Sequence, residues 1–204
     1  MKKLFLASVA WYTIDKFIHF LDINPKKSTI AFITTASNLY DWKPVEDRNK
    51  LVELGFTLKD IDIAGKTKEE LYQEIKDIDM IFVAGGNVFY LLQEARKSGF
   101  DEILNELITK GVPYVWSSAG SLLVGPSIEL ALDIDNQHDA QELTSYDGLG
   151  IVDFVILPHY DDERFRPLID ANLARFSTIQ YQTIKLTDQQ AVLVNGDDIE
   201  VLSN

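Results

Sequence analysis

Gly111-Val112-Pro113-Tyr114-Val115-Trp116-Ser117-Ser118-Ala119-Gly120-Ser121-Leu122-Leu123-Val124-Gly125-Pro126 is the stretch whose reading decides the fold of this chain. The apolar, β-prone run from Val112 to Trp116 breaks into small residues, and an apolar run able to start a helix follows. That is how a strand, a tight turn and a helix are written. A serine at such a turn is held in a strained conformation, with the N–H of the next residue aimed at the place where an oxyanion would form. Ser118 stands there, and Ala119 would supply the N–H. The usual spelling is Gly-x-Ser-x-Gly, small at both ends because strand and helix pass close together. Gly120 fits the last position, whereas Trp116 occupies the first and needs a pocket of its own. An ordinary turn can be written with the same small residues.

Outward from this turn, apolar runs of strand length alternate with segments of helical period. Toward the N-terminus the strands read Leu4 to Ser8, Thr29 to Thr34, Phe56 to Ile63 and Met80 to Ala84. Between them lie helices at Ile14 to Leu21, Val45 to Leu54 (closed by Gly55), Thr67 to Ile75, Val88 to Ser98 and Asp101 to Lys110. Thr67-Lys68-Glu69-Glu70 spells a capping box. This is the pattern of parallel βαβ units with helices on both faces of a sheet. Beyond the turn the character changes. Val152 to Leu157 reads as one more strand of the sheet and Arg166 to Phe176 as a helix. Ile184 to Leu186 and Ala191 to Val194 read as short strands, and Asn195-Gly196-Asp197-Asp198 as a hairpin turn into Ile199 to Leu202. The sheet is expected to end in antiparallel strands.

With 204 residues and 46% hydrophobic content the chain can bury one sizeable core, and one domain over residues 1–204 is expected. A formal net charge of −13 opposes binding to nucleic acid and to anionic membrane surfaces. No cysteine is present, which removes disulfides, thiolate metal sites and cysteine nucleophiles. Met1 to Trp11 begins like a signal peptide, but its apolar run is too short and passes directly into Tyr12-Thr13-Ile14-Asp15-Lys16. It reads as the first strand of a cytoplasmic protein.

In open α/β sheets ligands bind beyond the carboxyl ends of the strands, so polar residues just after each apolar run are the candidates for chemistry. After Met80 to Ala84 come Gly85-Gly86-Asn87, where glycine lets backbone N–H groups approach a ligand, and Gly86 is a second oxyanion donor to set beside Ala119. After Val152 to Leu157 comes His159. The other two histidines, His19 in an apolar helix and His138 in a polar run, have no similar claim as a base. Asp133, Asp135 and Asp139 fall in the loop after the serine turn, and Asp188 follows the strand at Ile184 to Leu186. Serine, histidine and acid candidates thus gather at one end of one expected sheet, as a nucleophile, a base and an orienter require.

At these residues the chain resembles peptidase family S51, the aspartyl dipeptidases (peptidase E) and their cyanophycinase relatives. Three ordered segments carry the resemblance: Ala84-Gly85-Gly86-Asn87-Val88-Phe89-Tyr90-Leu91-Leu92, Ser118-Ala119-Gly120 with Gly125-Pro126, and Pro158-His159-Tyr160. It implies a flavodoxin-like sheet close to that of class I glutamine amidotransferases. It also implies Ser118 as nucleophile, His159 as general base, and the Gly86 and Ala119 N–H groups as oxyanion hole. Gly85, Asn87 and Tyr160 would then meet the substrate. For the third member of a triad it offers two choices. Asp133 matches the family's aspartate fifteen residues past the serine, and Asp188 the acid at the late strand end, and Asp133 is slightly preferred. The resemblance further implies short peptide substrates with an N-terminal aspartate, for which Arg164 and Arg166 are the nearest cations by sequence. No metal or other cofactor is called for, and the oligomeric state is left open. A non-catalytic ligand-binding or regulatory protein on the same fold is the competing reading.

Overall fold

A computed structural model of the chain describes residues 1–21, 23–41, 43–118, 120–176 and 181–204. Its centre is a seven-stranded sheet in the order β3-β2-β4-β5-β1-β8-β9. Five strands run parallel: β1 (Lys3–Ala7), β2 (Thr29–Ile33), β3 (Thr57–Ile61), β4 (Met80–Val83) and β5 (Tyr114–Ser117). Antiparallel β8 (Gln190–Asn195) and β9 (Asp198–Ser203) extend the β1 edge as the hairpin expected from Asn195-Gly196-Asp197-Asp198.

Strand alternation divides the core into two layers. Leu4, Leu6, Ile33, Val83, Tyr114 and Trp116 point to one face, where α3 (Lys68–Ile75), α4 (Val88–Ser98) and α5 (Phe100–Thr109) cover them. Phe5, Ala7, Phe32, Phe82 and Val115 point to the other, where α1 (Ala10–Leu21) and α2 (Val45–Leu54) lie. Four of the parallel strands, β1, β2, β4 and β5, are buried almost throughout, which is why they read as continuous apolar runs, whereas β3 at the sheet edge is largely exposed. Thr67 and Glu70 form the expected capping box of α3, and Gly55 closes α2 in the left-handed region with φ of 103°.

Two expectations are corrected here. The strand at Val152 to Leu157 does not join the main sheet: β6 (Phe154–Leu157) pairs in parallel with β7 (Gln182–Lys185) in a separate two-stranded sheet. The place beside β1 is already filled by β5 on one side and β8 on the other, and β6 instead buries its apolar residues in the core cluster on that first face, next to α6 (Gly120–Leu123). Helix α1 starts at Ala10, four residues before the expected Ile14. Its first N–H groups are received by side chains distant in sequence: Ala10 N–H donates to Ser117 Oγ (3.1 Å) and Trp11 N–H to Asp47 Oδ1 (2.9 Å).

Beyond β5 come α6 (Gly120–Leu123) and, after β6, α7 (Arg166–Arg175). Among the described residues no helix is long and apolar enough to cross a membrane.

Candidate active site

Ser118 sits at the carboxyl end of β5, between that strand and α6, with φ of 62°. A non-glycine residue in this region stores strain and needs firm anchoring. Its N–H is held by the end of β1, donating to Ser8 O (2.8 Å) and Ala7 O (3.1 Å). Ser121 adds to the clamp: its N–H donates to Ser118 O (2.8 Å) and its hydroxyl to Ala7 O (2.9 Å). Trp116 does not reach into the site. It is fully buried, and its indole occupies the space that a side chain at position 120 would need.

His159 follows β6, also at positive φ (59°). Its Nε2 lies 2.7 Å from Ser118 Oγ and its Nδ1 2.6 Å from Asp188 Oδ1. A carboxylate only accepts, so Nδ1 carries the proton and Nε2 is left to accept from the serine hydroxyl. The hydrogen bond from His159 holds the Asp188 carboxyl below its usual range, against the opposing effect of partial burial. Asp188 stands on the link from β7 to β8, and its own N–H donates to Asp161 Oδ1 (2.9 Å).

Sequence reasoning missed Ser8, which binds the three together. Its hydroxyl donates to Asp188 Oδ1 (3.1 Å) and accepts the His159 N–H (2.8 Å), while its carbonyl receives the Ser118 N–H. A polar residue directly after the apolar run of β1, at its carboxyl end, was the available signal.

Asp133, the preferred acid of the sequence reading, is elsewhere. It is 62% exposed and pairs with Arg175 (3.2 Å). Fifteen residues of separation from the serine fix no direction in space, and the loop carries Asp133 to the surface.

The glycine segment lies against the serine. A Cβ added at Gly85 would fall 2.9 Å from Ser118 Cβ, and one at Gly86 (φ 145°) 2.1 Å from Ala36 O. The chain passes here only because these positions lack side chains. Gly86 shares a cavity with Ser118 and His159. Ala119, the other expected oxyanion donor, lies outside the described residues.

Asn87 is not a substrate-facing group. It is fully buried, its Oδ1 caps α4 by accepting the N–H groups of Phe89 (3.0 Å) and Tyr90 (3.1 Å), and its Nδ2 donates to Asn136 O and Asp139 Oδ2. Tyr160 is likewise engaged away from the cavity, donating to Asp170 Oδ1 (2.9 Å) and accepting from Lys185 Nζ (2.9 Å). The side chain of Arg164 is 80% exposed and paired with Asp162, and Arg166 is exposed at the start of α7. Gly85, Asn87, Tyr160, Arg164 and Arg166 are all absent from the described cavity wall.

That cavity, ≈ 250 Å³, is walled chiefly by Leu122, Leu130, Ile134, Leu157, Phe165 and Ile169 around Ser118 and His159. It falls below the roughly 300–1,000 Å³ of ordinary ligand pockets, a size suited to one small residue or a short peptide. Asp135 and Tyr40 add polar groups to its wall. Asp135 Oδ2 accepts the Val88 N–H at the start of α4 (2.9 Å), and burial pushes its carboxyl up to about 6. Burial, then the nearby Asp135, raises the Tyr40 hydroxyl above its usual value.

The peptidase family S51 model matches residues 8–202. The chain belongs to peptidase family S51. It is 32% identical over 201 residues to the Listeria monocytogenes protein named uncharacterized peptidase Lmo0363, covering 98% of this chain and 97% of that one. Against the Shewanella sp. protein named peptidase E, identity is 36% over 114 residues, 55% of this chain and 47% of that one. A Listeria monocytogenes crystal structure described as a candidate peptidase E superposes with a TM-score of 0.92 at 30% identity, covering 100% of this chain and 99% of that one. The fold of this S51 chain is therefore the peptidase E fold, with its mostly parallel sheet and C-terminal hairpin, and the family supports peptidase activity.

Proposed function

We propose that this S51 protein hydrolyses short peptides through an acyl-enzyme at Ser118. The observation that carries the reading is the continuous chain Ser118 Oγ to His159 Nε2 (2.7 Å) and His159 Nδ1 to Asp188 Oδ1 (2.6 Å) opening on a small cavity. His159 takes the hydroxyl proton as Ser118 Oγ bonds to the scissile carbonyl carbon. Asp188 steadies the imidazolium that forms, and the proton passes to the leaving amine as the C–N bond breaks. A water, activated by His159 in the same way, then releases the acyl group. Gly86 N–H is the donor we assign to the oxyanion, with Ala119 N–H as its expected partner.

The N-terminal aspartate preference implied by resemblance to the aspartyl dipeptidases finds no cation in the described cavity wall, because Arg164 and Arg166 point to solvent. Short peptide hydrolysis is the substrate class retained.

Labelling with a fluorophosphonate probe tests the serine mechanism. Wild-type protein should be labelled and Ser118→Ala should not, with the thermal midpoint within about 2 °C because the hydroxyl holds little of the core together. Equal labelling of the two proteins would overturn the nucleophile. An unlabelled wild type that turns over no peptide would favour a non-catalytic binding protein on this fold.

A further inference from the structure

The cavity beside Ser118 has two chemically distinct parts. One is apolar, formed by Leu122, Leu130, Ile134, Leu157, Phe165 and Ile169. The other is anionic, formed by Asp135. The Asp135 carboxylate accepts one backbone N–H, from Val88, and no lysine or arginine pairs with it among the described residues. No lysine or arginine lines the described cavity either, so its ionisable wall consists of Asp135, Tyr40 and His159.

This arrangement discriminates strongly between ligands. A substrate carboxylate placed in the cavity would lose its hydration without gaining a cation, and would lie near a carboxylate already costly to ionise there. A primary ammonium meets the reverse situation, since it supplies the counter-charge that Asp135 lacks. An apolar side chain would exchange water for the aliphatic and aromatic wall, a gain that grows with the apolar surface covered. A peptide's N-terminal residue offers both groups on one Cα, adjacent to the carbonyl that Ser118 would attack. The formal charge of −13 on the whole chain favours the ammonium in the same sense.

We propose that the cavity binds the N-terminal residue of its substrate, with an apolar side chain against the Leu122/Ile134/Phe165 wall and the free α-ammonium on Asp135. On the reading of Ser118 as nucleophile, the protein is thus a peptidase for apolar-X dipeptides and similarly short peptides, not for Asp-X. Asp135 is a specificity residue and takes no part in bond breaking.

The test uses the wild-type protein on Leu-Ala, Asp-Ala and N-acetyl-Leu-Ala, together with Asp135→Asn, whose side-chain oxygen can still accept the Val88 N–H. Leu-Ala should exceed Asp-Ala in kcat/KM by about 100-fold or more, the order of a buried unpaired charge. Acetylation, which removes the ammonium charge, should cost a similar factor. Asp135→Asn should lose its advantage for free over acetylated Leu-Ala chiefly through KM. If Asp-Ala matches or exceeds Leu-Ala, the apolar assignment is wrong. If the acetylated peptide is cleaved as well as the free one, the Asp135 contact is wrong, and this comparison needs no variant to fold. Calorimetric titration of Ser118→Ala with the same peptides separates this inference from the catalytic reading. Tighter binding of Leu-Ala than Asp-Ala there supports the pocket even if nothing is turned over, and no binding of Leu-Ala overturns it.

Discussion

A Cβ added at Gly120 would lie 1.4 Å from Trp116 Nε1, in space the indole already fills. The two ends of the serine turn are therefore one steric unit: a tryptophan is tolerated at the first because nothing stands at the last. The indole is fully buried and packs edge-on against Tyr114, with ring centroids 4.8 Å apart. Gly120→Ala should force the ring out and leave little folded protein. Trp116→Ala should cost about 3–5 kcal/mol in urea unfolding through the cavity it leaves. The double variant should be no less stable than Trp116→Ala alone, because the clash has been removed. Strict additivity of the two losses would sink the idea.

Asp188 and Asp133 separate cleanly by mutation. Asp188→Asn leaves the imidazole without its anionic partner and should lower turnover by about 10⁴-fold, as in the best-studied triad. Asp133→Asn breaks only an exposed pair with Arg175, a kind worth about 0–1 kcal/mol, and turnover should stay within about twofold. Steady-state kinetics of both variants on one peptide decides, and a crippled Asp133→Asn would restore the sequence-based preference.

Ser8→Ala tests whether the hydroxyl positions the other three groups. Losing it strands the His159 N–H, at a cost of about 1–3 kcal/mol, and removes one donor from Asp188. Turnover should fall by about tenfold or more with KM little changed, while Ser8→Thr, which keeps a hydroxyl, should recover part of it. A change confined to the thermal midpoint would mark Ser8 as structural only.

Stability should depend on pH through two buried carboxyls. Burial pushes Asp47 up to about 6, despite hydrogen bonds from Ser117 and Trp11 that favour its charged form, and Asp135 is likewise raised to about 6. Both folded values exceed the unfolded one of about 3.9, so their contribution is fully present below that pH and is lost as pH rises through about 6. Asp188, lowered by His159, acts oppositely: its contribution is present above the unfolded value and is lost as pH falls through its lowered one. Urea midpoints of wild type and Asp47→Asn at pH 4.5 and pH 7 isolate the first effect. The variant should lose less stability over that interval, and equal losses would show that Asp47 does not titrate there.

What could be read in the sequence followed the range of the interactions involved. The parallel core was legible because strands buried on both faces are apolar throughout, and Ser118, Gly86 and His159 because each directly follows such a run. Asp188 could not be preferred over Asp133, since the choice turns on which loop folds back to His159. The start of α1 was hidden for the same reason: its caps come from Asp47 and Ser117, not from a neighbouring serine or aspartate. The separate pairing of β6 with β7 was equally silent, because an apolar run does not name its partner. Asp135 was visible as one of several loop acids, and its surroundings alone set it apart.

That small β6–β7 sheet has a further consequence. Ser118 follows a strand of the seven-stranded sheet and His159 a strand of the two-stranded one, so the proton route crosses a seam between two sheets that share no strand pairing and are joined there through Ser8. Such a seam can part before either sheet melts. Turnover then serves as a gauge of how the two sheets sit against each other. In a denaturant series it should vanish while the far-ultraviolet signal of the larger sheet is still native, and a ligand that tightened the seam would protect the chemistry without raising the global melting point in proportion.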